Sequence, residues 1–452
     1  MKKRIFRSLF WTVIILLLVV FAYLNYIGQA VSGYSAKGLA SGVFLSGRTQ
    51  ESIEKEDINF SLMKFTKNKV DFDKKEVMSR FLLWKSKAVY NEGLGCTLVR
   101  DFSEETVKKM DYPDMPLQKC NPDTIPWPAG DLKIDTIPAG INMSKLQSVI
   151  DQAFADTGSY KGTFGVLVVY KDQIVAERYR KDFTSSTRFL SWSMAKSFTN
   201  ALVGILVKEG KVDINSPVPR EEWTRDERKN ITLNNLLHMN SGLAFNEEYS
   251  KLKLTDVTTM LLKEGDMADY AATKKLEFPP DSVWVYSGGS TNIVCEYIKT
   301  ILGSESDYFA FPGKSLFNKI GMRSAIFEPD ASGTFVGSSY IYATIHDYAR
   351  FGLLYLHNGN WLGEQILPED WVKYTTTPAH GSGGEYGAFF YLNKSGKYPG
   401  LPEDMFSCEG HDGQKIFIIP SKQLVVVRTG YSPAGTYNFT DFIKSISDSV
   451  EM

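Results

Sequence analysis

Ser193 and Lys196 stand three residues apart in the stretch RFLSWSMAKSFTN, residues 188–200. On a helix that spacing puts both side chains on one face, one turn apart. A serine hydroxyl is a weak nucleophile until a base takes its proton. A lysine serves as that base when desolvation or neighbouring charge brings its pKa down from about 10.4 toward neutrality. Phe189, Leu190, Trp192, Met194 and Phe198 supply apolar surroundings. The free N–H groups of a helix start would favour developing negative charge. The chemistry such a pair could do is nucleophilic attack by an activated serine hydroxyl. The bare pattern is not specific, because Ser52/Lys55, Ser61/Lys64 and Ser250/Lys253 repeat it. Only Ser193/Lys196 opens a long apolar helix directly after a predicted hairpin. The bland reading of the same residues makes Ser191 a helix N-cap and Lys196 a surface charge.

Two further stretches bear on that choice. FPPDSVWVYSGGSTN puts Tyr286 on a glycine-rich turn ahead of a helix, where a phenol can reach into a cleft and relay a proton. The alternative is an aromatic anchor packed on Trp284. CEGHDGQKIFIIP puts His411, Asp412 and Gly413 at the start of a strand. Gly413 would let a substrate approach the backbone, and the N–H of Gln414 would face an oxyanion. The alternative is a polar turn entering a hairpin. A thiol hydrolase using Cys408 and His411 is a competing reading that rests on proximity in sequence alone.

The elements that must position these residues are legible as hydrophobic period. MSKLQSVIDQAFADTG has helical spacing, and FGVLVVYKDQIVAERYR reads as two strands joined at Lys171-Asp172. AKSFTNALVGILVKEG is a helix stopped by Gly210. Residues 213–345 read as helices and loops. EYGAFFYLN and KIFIIPSKQLVVVRTG return to strands, the second a hairpin near Pro420, and NFTDFIKSISDSV closes as a helix. The pattern predicts an α/β (α+β) domain over residues 141–452: an antiparallel sheet flanked by helices, with a helical subdomain inserted between its strands.

With 452 residues the chain is long enough for more than one domain, and its formal net charge of −1 offers no basis for nucleic-acid binding. No cofactor or metal is implied, since zinc-type Cys/His spacing, a P-loop and a Rossmann fingerprint are all missing from the sequence. Lys2, Lys3, Arg4 and Arg7 precede a nearly continuous apolar run, residues 9–27. That reads as a signal anchor within residues 1–30, or a signal peptide cleaved after Gly28-Gln29-Ala30, with the remainder exported to the periplasmic side. Residues 31–140 read as an extension and linker ending in the proline-rich NPDTIPWPAGDLKIDTIPAG. On an oxidising side Cys96 and Cys120 flank a short polar segment and are a candidate disulfide, while Cys295 reads as a buried thiol.

Taken in order, SMAK, WVYSGG and GHDGQ resemble the serine β-lactamase and DD-peptidase superfamily, with the second motif in the tyrosine form of class C enzymes. SMAKSFTNALVGILVKEGKV, LLHMNSGL, YATIHDYARFGLLYLHNGNWLGEQILPEDWV and GHDGQKIFIIP resemble the branch containing 6-aminohexanoate-dimer hydrolases and related esterases. The resemblance covers about residues 140–452. It implies Ser193 as nucleophile, Lys196 in the deprotonation network and Tyr286 as general base and then acid. It also implies an oxyanion hole from the N–H groups of Ser193 and Gln414, with His411 where the superfamily has a lysine. Two departures stand out. Gly288 replaces the asparagine that usually ends the tyrosine motif, with Asn292 the nearest substitute, and His411-Asp412-Gly413 replaces Lys-Thr-Gly. Both argue for an amide or ester substrate over a β-lactam. A slow-acylating cell-wall peptide or β-lactam binding protein is the alternative.

Overall fold

The computed structural model describes residues 2–113, 121–134, 136–155, 162–249 and 253–451. Its first element is one long helix, α1 (Lys2–Phe44). Large apolar side chains from Ile5 to Tyr26 are exposed, whereas most of the helix beyond Ile27 is buried. The change follows composition. The first half is Leu, Ile, Val and Phe. The second is rich in Gly, Ala and Ser, which let a helix approach a neighbour closely. A Cβ on Gly28 would stand 2.3 Å from the Trp84 ring, and one on Gly42 would stand 2.5 Å from Ile53.

That second half packs on a four-stranded antiparallel sheet, β1 (Lys67–Asp71), β2 (Glu76–Phe81), β3 (Trp84–Asn91) and β4 (Gly95–Leu98). Ala36, Leu39 and Ala40 meet Val77, Ala88 and Cys96 in a small core of their own. Part of the expected extension, residues 67–98, is an ordered sheet. Cys120, the expected partner of Cys96, lies outside the described residues; Cys96 is a buried thiol.

The main sheet follows. Helix α2 (Met143–Ala155) leads to β5 (Gly162–Tyr170) and β6 (Gln173–Tyr179), the hairpin turning at Lys171-Asp172 as its sequence predicts. After a long excursion the chain returns as β7 (Tyr391–Leu392), β8 (Phe406–Gly410), β9 (Gln414–Ile419) and β10 (Leu424–Tyr431). The spatial order is β7-β8-β9-β10-β5-β6, each neighbouring pair antiparallel. Strand side chains alternate between faces, and here both faces are apolar, so the sheet is covered on both sides. Val166, Val168, Phe417 and Val426 face Leu146, Ile150, Phe442 and Ile443 of α2 and of the last helix, Phe439–Ser447. Leu167, Val169, Ile416 and Val425 face the larger core.

Three helices of the 180–390 excursion position the site: α3 (Ala195–Lys208), α4 (Gly288–Leu302) and α5 (Ile345–Leu356). Phe198 of α3 stacks on Phe351 of α5 with centroids 3.7 Å apart. EYGAFFYLN, expected as one strand, joins the main sheet through Tyr391–Leu392 and folds back on itself in an isolated bridge between Tyr386 and Tyr391. Phe389 has φ +60°, which breaks extended backbone, and the preceding N–H groups bond individually to Thr375, Leu237 and Phe390 carbonyls.

Candidate active site

Ser193 lies in a tight 3₁₀ turn, Trp192–Met194, between the end of a short strand and the start of α3. Trp192 is held at φ +46°, a conformation that costs a non-glycine residue energy and persists only where its surroundings impose it. Ser191 supplies part of that constraint. Its N–H donates to the Ile341 carbonyl (2.8 Å), and its Oγ accepts from the Ile341 N–H (3.1 Å). It makes no side-chain N-cap bond. Ser197 is turned away and donates to the Phe389 carbonyl (2.8 Å).

Lys196 is 1% exposed, which rules out a surface charge. Its ammonium donates to Ser193 Oγ and to the Ser338 carbonyl, both at 3.0 Å. It also lies 4.8 Å from the centre of the Tyr286 ring and 3.9 Å from Glu247 Oε1. Tyr286 immediately precedes the N-cap of α4, where Ser287 Oγ accepts the Ser290 N–H. Tyr286 stacks on Tyr391 with centroids 6.0 Å apart. Its neighbour is therefore Tyr391 of β7 together with Tyr386, and Trp284 packs on Tyr386 beside it.

These groups open onto one cleft of ≈ 690 Å³, whose walls include Ser193, Glu247, Tyr249, Tyr286, His411 and Lys415. His411 packs edge-on against Trp192 (centroids 5.6 Å) and lies tilted against Tyr249 (4.5 Å). The structure thus brings together Ser193, Lys196, Tyr286 and His411. Gln414 lies beside them: it pairs with Gly410, a residue of the cleft wall, and its strand packs on the Trp192–Met194 turn. Asp412 at φ +57° and Gly413 at φ +88° turn the chain over, so that Gln414 and Asp412 line a second cavity of ≈ 120 Å³ between α1 and the catalytic body. The Gln414 side chain is tied to the Gly430 backbone, accepting its N–H at 3.1 Å. The glycine at 413 is required by its φ and by what lies behind it: a Cβ would stand 2.5 Å from Arg428 and from Phe439. Asn292 is linked to Lys196 through Ser338. Its Oδ1 accepts the Ser338 N–H (3.1 Å), holding the residue whose carbonyl binds Lys196.

Cys408 is 1% exposed, and burial pushes its thiol well above the ordinary range, a poor state for a nucleophile. Beside the cleft, Glu409 accepts from Lys415 (2.5 Å), Tyr398 (2.8 Å) and Ser407 (2.9 Å). Burial alone would raise this carboxyl, but Lys415 and Lys397 override it and hold it at about 2. Glu247, Tyr249 and Lys415 escaped the sequence reading. The acidic-aromatic cluster Glu247-Glu248-Tyr249 is a signal that could have marked the first two.

A family model described as Beta-lactamase matches residues 150–430. The chain belongs to that family. It is 23% identical over 296 residues to the 6-aminohexanoate-dimer hydrolase of Paenarthrobacter ureafaciens, covering 60% of this chain and 73% of the relative. A family VIII carboxylesterase superposes with a TM-score of 0.53 at 15% identity, over 68% of this chain and 96% of that one. A penicillin-binding protein from Bacillus halodurans does so with a TM-score of 0.52 at 16% identity, over 67% and 99%. The family and these neighbours carry the expected fold, an antiparallel sheet with flanking helices, and place the chain among hydrolases of this architecture. At such identities the structural likeness speaks for the fold alone.

Proposed function

We propose that this protein is an exported, membrane-anchored serine hydrolase that cleaves an amide or ester through an acyl-enzyme on Ser193. The observation that carries the reading is the buried Lys196 ammonium 3.0 Å from a half-buried Ser193 Oγ that opens onto the cleft. In the reactive form Lys196 is the neutral amine, and the same hydrogen bond runs from Ser193 to Nζ. As Oγ bonds to the substrate carbonyl carbon, its proton passes to the Lys196–Tyr286 pair. The carbonyl becomes an oxyanion held by the backbone N–H groups of Ser193 and of Gln414, which pairs with Gly410 of the cleft wall. Collapse expels the amine or alcohol, which takes a proton from Tyr286. Water then repeats the sequence on the acyl-enzyme, releasing the acid and restoring Ser193.

His411 and Gly288 support a substrate other than a β-lactam, because neither offers the cation or the amide of the usual motifs. The relative's name, 6-aminohexanoate-dimer hydrolase, supports a linear amide among the candidates. Anchoring is supported by residues 5–26 of α1, apolar, exposed and about 33 Å long at 1.5 Å per residue, against a hydrocarbon core of about 30 Å. The experiment is labelling with a fluorophosphonate read by intact mass, alongside turnover of p-nitrophenyl esters, short amides and nitrocefin. One adduct on Ser193, its loss in Ser193→Ala, and turnover of ester or amide ahead of nitrocefin are expected. No adduct together with full activity of Ser193→Ala would end the reading.

A further inference from the structure

The family motif residues do not account for Glu247. It enters the cleft from the segment after Gly242, 51 positions beyond Lys196 in sequence, yet its Oε1 stands 3.9 Å from the Lys196 ammonium. Its other oxygen accepts the Gly288 N–H at 2.7 Å. Gly288 is the first residue of α4, a helix of 15 residues, so the carboxylate lies where a helix start favours negative charge. Room for it exists because residue 288 has no side chain. A Cβ there would stand 3.1 and 3.2 Å from the two Glu247 oxygens and 3.2 Å from Ser338. Gly288 has no positive φ that would demand glycine, so the close approach of the carboxylate is the reason for it. The Glu247 side chain is only 14% exposed, and burial raises its carboxyl above the ordinary range, with Lys196 and the Gly288 N–H opposing that shift. An acidic side chain kept in such a place is paired with something that needs it.

We propose that Glu247 is a positioning residue for acylation: held by the first N–H of α4, it orients Lys196 over Ser193 and balances the charge Lys196 takes up when it removes the serine proton. This rests on the reading of Ser193 as nucleophile. The arrangement has the logic of a serine–base–carboxylate series in which the acid stays ionised and steadies the protonated base. The carboxylate and the glycine are linked, because a methyl at 288 would make the two carboxylate oxygens give by a few tenths of an ångström.

The test uses the full chain in detergent. Second-order labelling of Ser193 by the fluorophosphonate is measured for Glu247→Gln, Glu247→Ala, Gly288→Ala and the Glu247→Ala/Gly288→Ala double. Glu247→Gln keeps the volume and an acceptor for the Gly288 N–H. It is expected to label at least about 10-fold more slowly with its melting temperature within a few degrees of the parent. Gly288→Ala slows labelling when Glu247 is present and adds nothing in the Glu247→Ala background. Labelling of Glu247→Gln within twofold of the parent, or additive effects of the two alanines, overturns the proposal. A parallel melting-temperature cycle with Lys196→Met and Glu247→Gln reads the contact without activity. A double variant that loses less than the sum of its singles supports the pairing, and additive losses refute it. If the parent itself takes no label, the Ser193 reading falls and this second cycle still decides whether Glu247 and Lys196 are coupled.

Discussion

Glu328 is the bolt between α1 and the catalytic body, and removing it has a calculable cost. The carboxylate is fully buried. It forms a salt bridge with Lys37 of α1 and accepts Ser41 Oγ at 2.8 Å and the Cys96 N–H at 2.7 Å. Lys37 is itself only 6% exposed and lies 4.4 Å from the centre of the Tyr340 ring. Glu328→Ala strands a buried ammonium, a loss of about 3–5 kcal/mol, and orphans the Cys96 N–H, about 1–3 kcal/mol more. These overlap, so roughly 4–6 kcal/mol is expected. Lys37→Met/Glu328→Gln removes both charges and keeps an oxygen for Cys96 and Ser41, so it should lose only about 1–2 kcal/mol. The assay is urea unfolding of the detergent-solubilised chain followed by tryptophan fluorescence. A Glu328→Ala loss below about 1 kcal/mol, the range of an exposed ion pair, would show that Glu328 does not clamp α1 as argued.

Acid should act through Glu409. Its carboxyl is held at about 2, below the unfolded value of about 4.3, so its contribution is full above that value and is lost as pH falls toward 2. The stability of Glu409→Gln should therefore change less than the parent's between pH 5 and pH 2, as melting curves across that interval would show. Gly413→Ala should cost about 2–4 kcal/mol, since it combines φ +88° with a Cβ 2.5 Å from Arg428 and Phe439; the drop in melting temperature measures it. Iodoacetamide should leave Cys408 unmodified and turnover unchanged in the folded protein, with carbamidomethylation appearing by mass spectrometry only after denaturation.

What could be read in advance divides along a physical line. The hairpins at Lys171-Asp172 and Pro420 were visible because strands buried on both faces are unbroken runs of Val, Ile and Leu bounded by turn residues. Ser193 and Lys196 were visible because one helical turn links them. The sheet of residues 67–98 was not, because its strands are rich in lysine and lack a clean apolar alternation: KNKVD buries none of its residues, and WKSKAVYN buries some on each face. Glu247 was hidden for a different reason. Its meeting with Lys196 is made by the packing of α3 and α4 and by the missing side chain at Gly288, and neither leaves a spacing in the chain. The turn at Asp412-Gly413 was legible as a reversal into a strand, but not that Asp412 and Gln414 would also line a second cavity against α1.

Because α1 is a single helix from Lys2 to Phe44 that is already clamped to the body over its second half, there is no swivel between the apolar rod and the cleft. An enzyme on a flexible tether explores a hemisphere whose radius grows with the tether. With residues 5–26 seated in a bilayer, this one would instead carry its cleft at one height and one tilt, free to turn only about the rod and to drift in the plane. Encounter would then depend on where along the membrane normal a scissile bond is presented, so altitude would enter its specificity beside chemistry. Adding a turn of helix before Ile27 would raise the cleft by about 5 Å and return it to nearly the same side of the axis, a change of address with no change in the site.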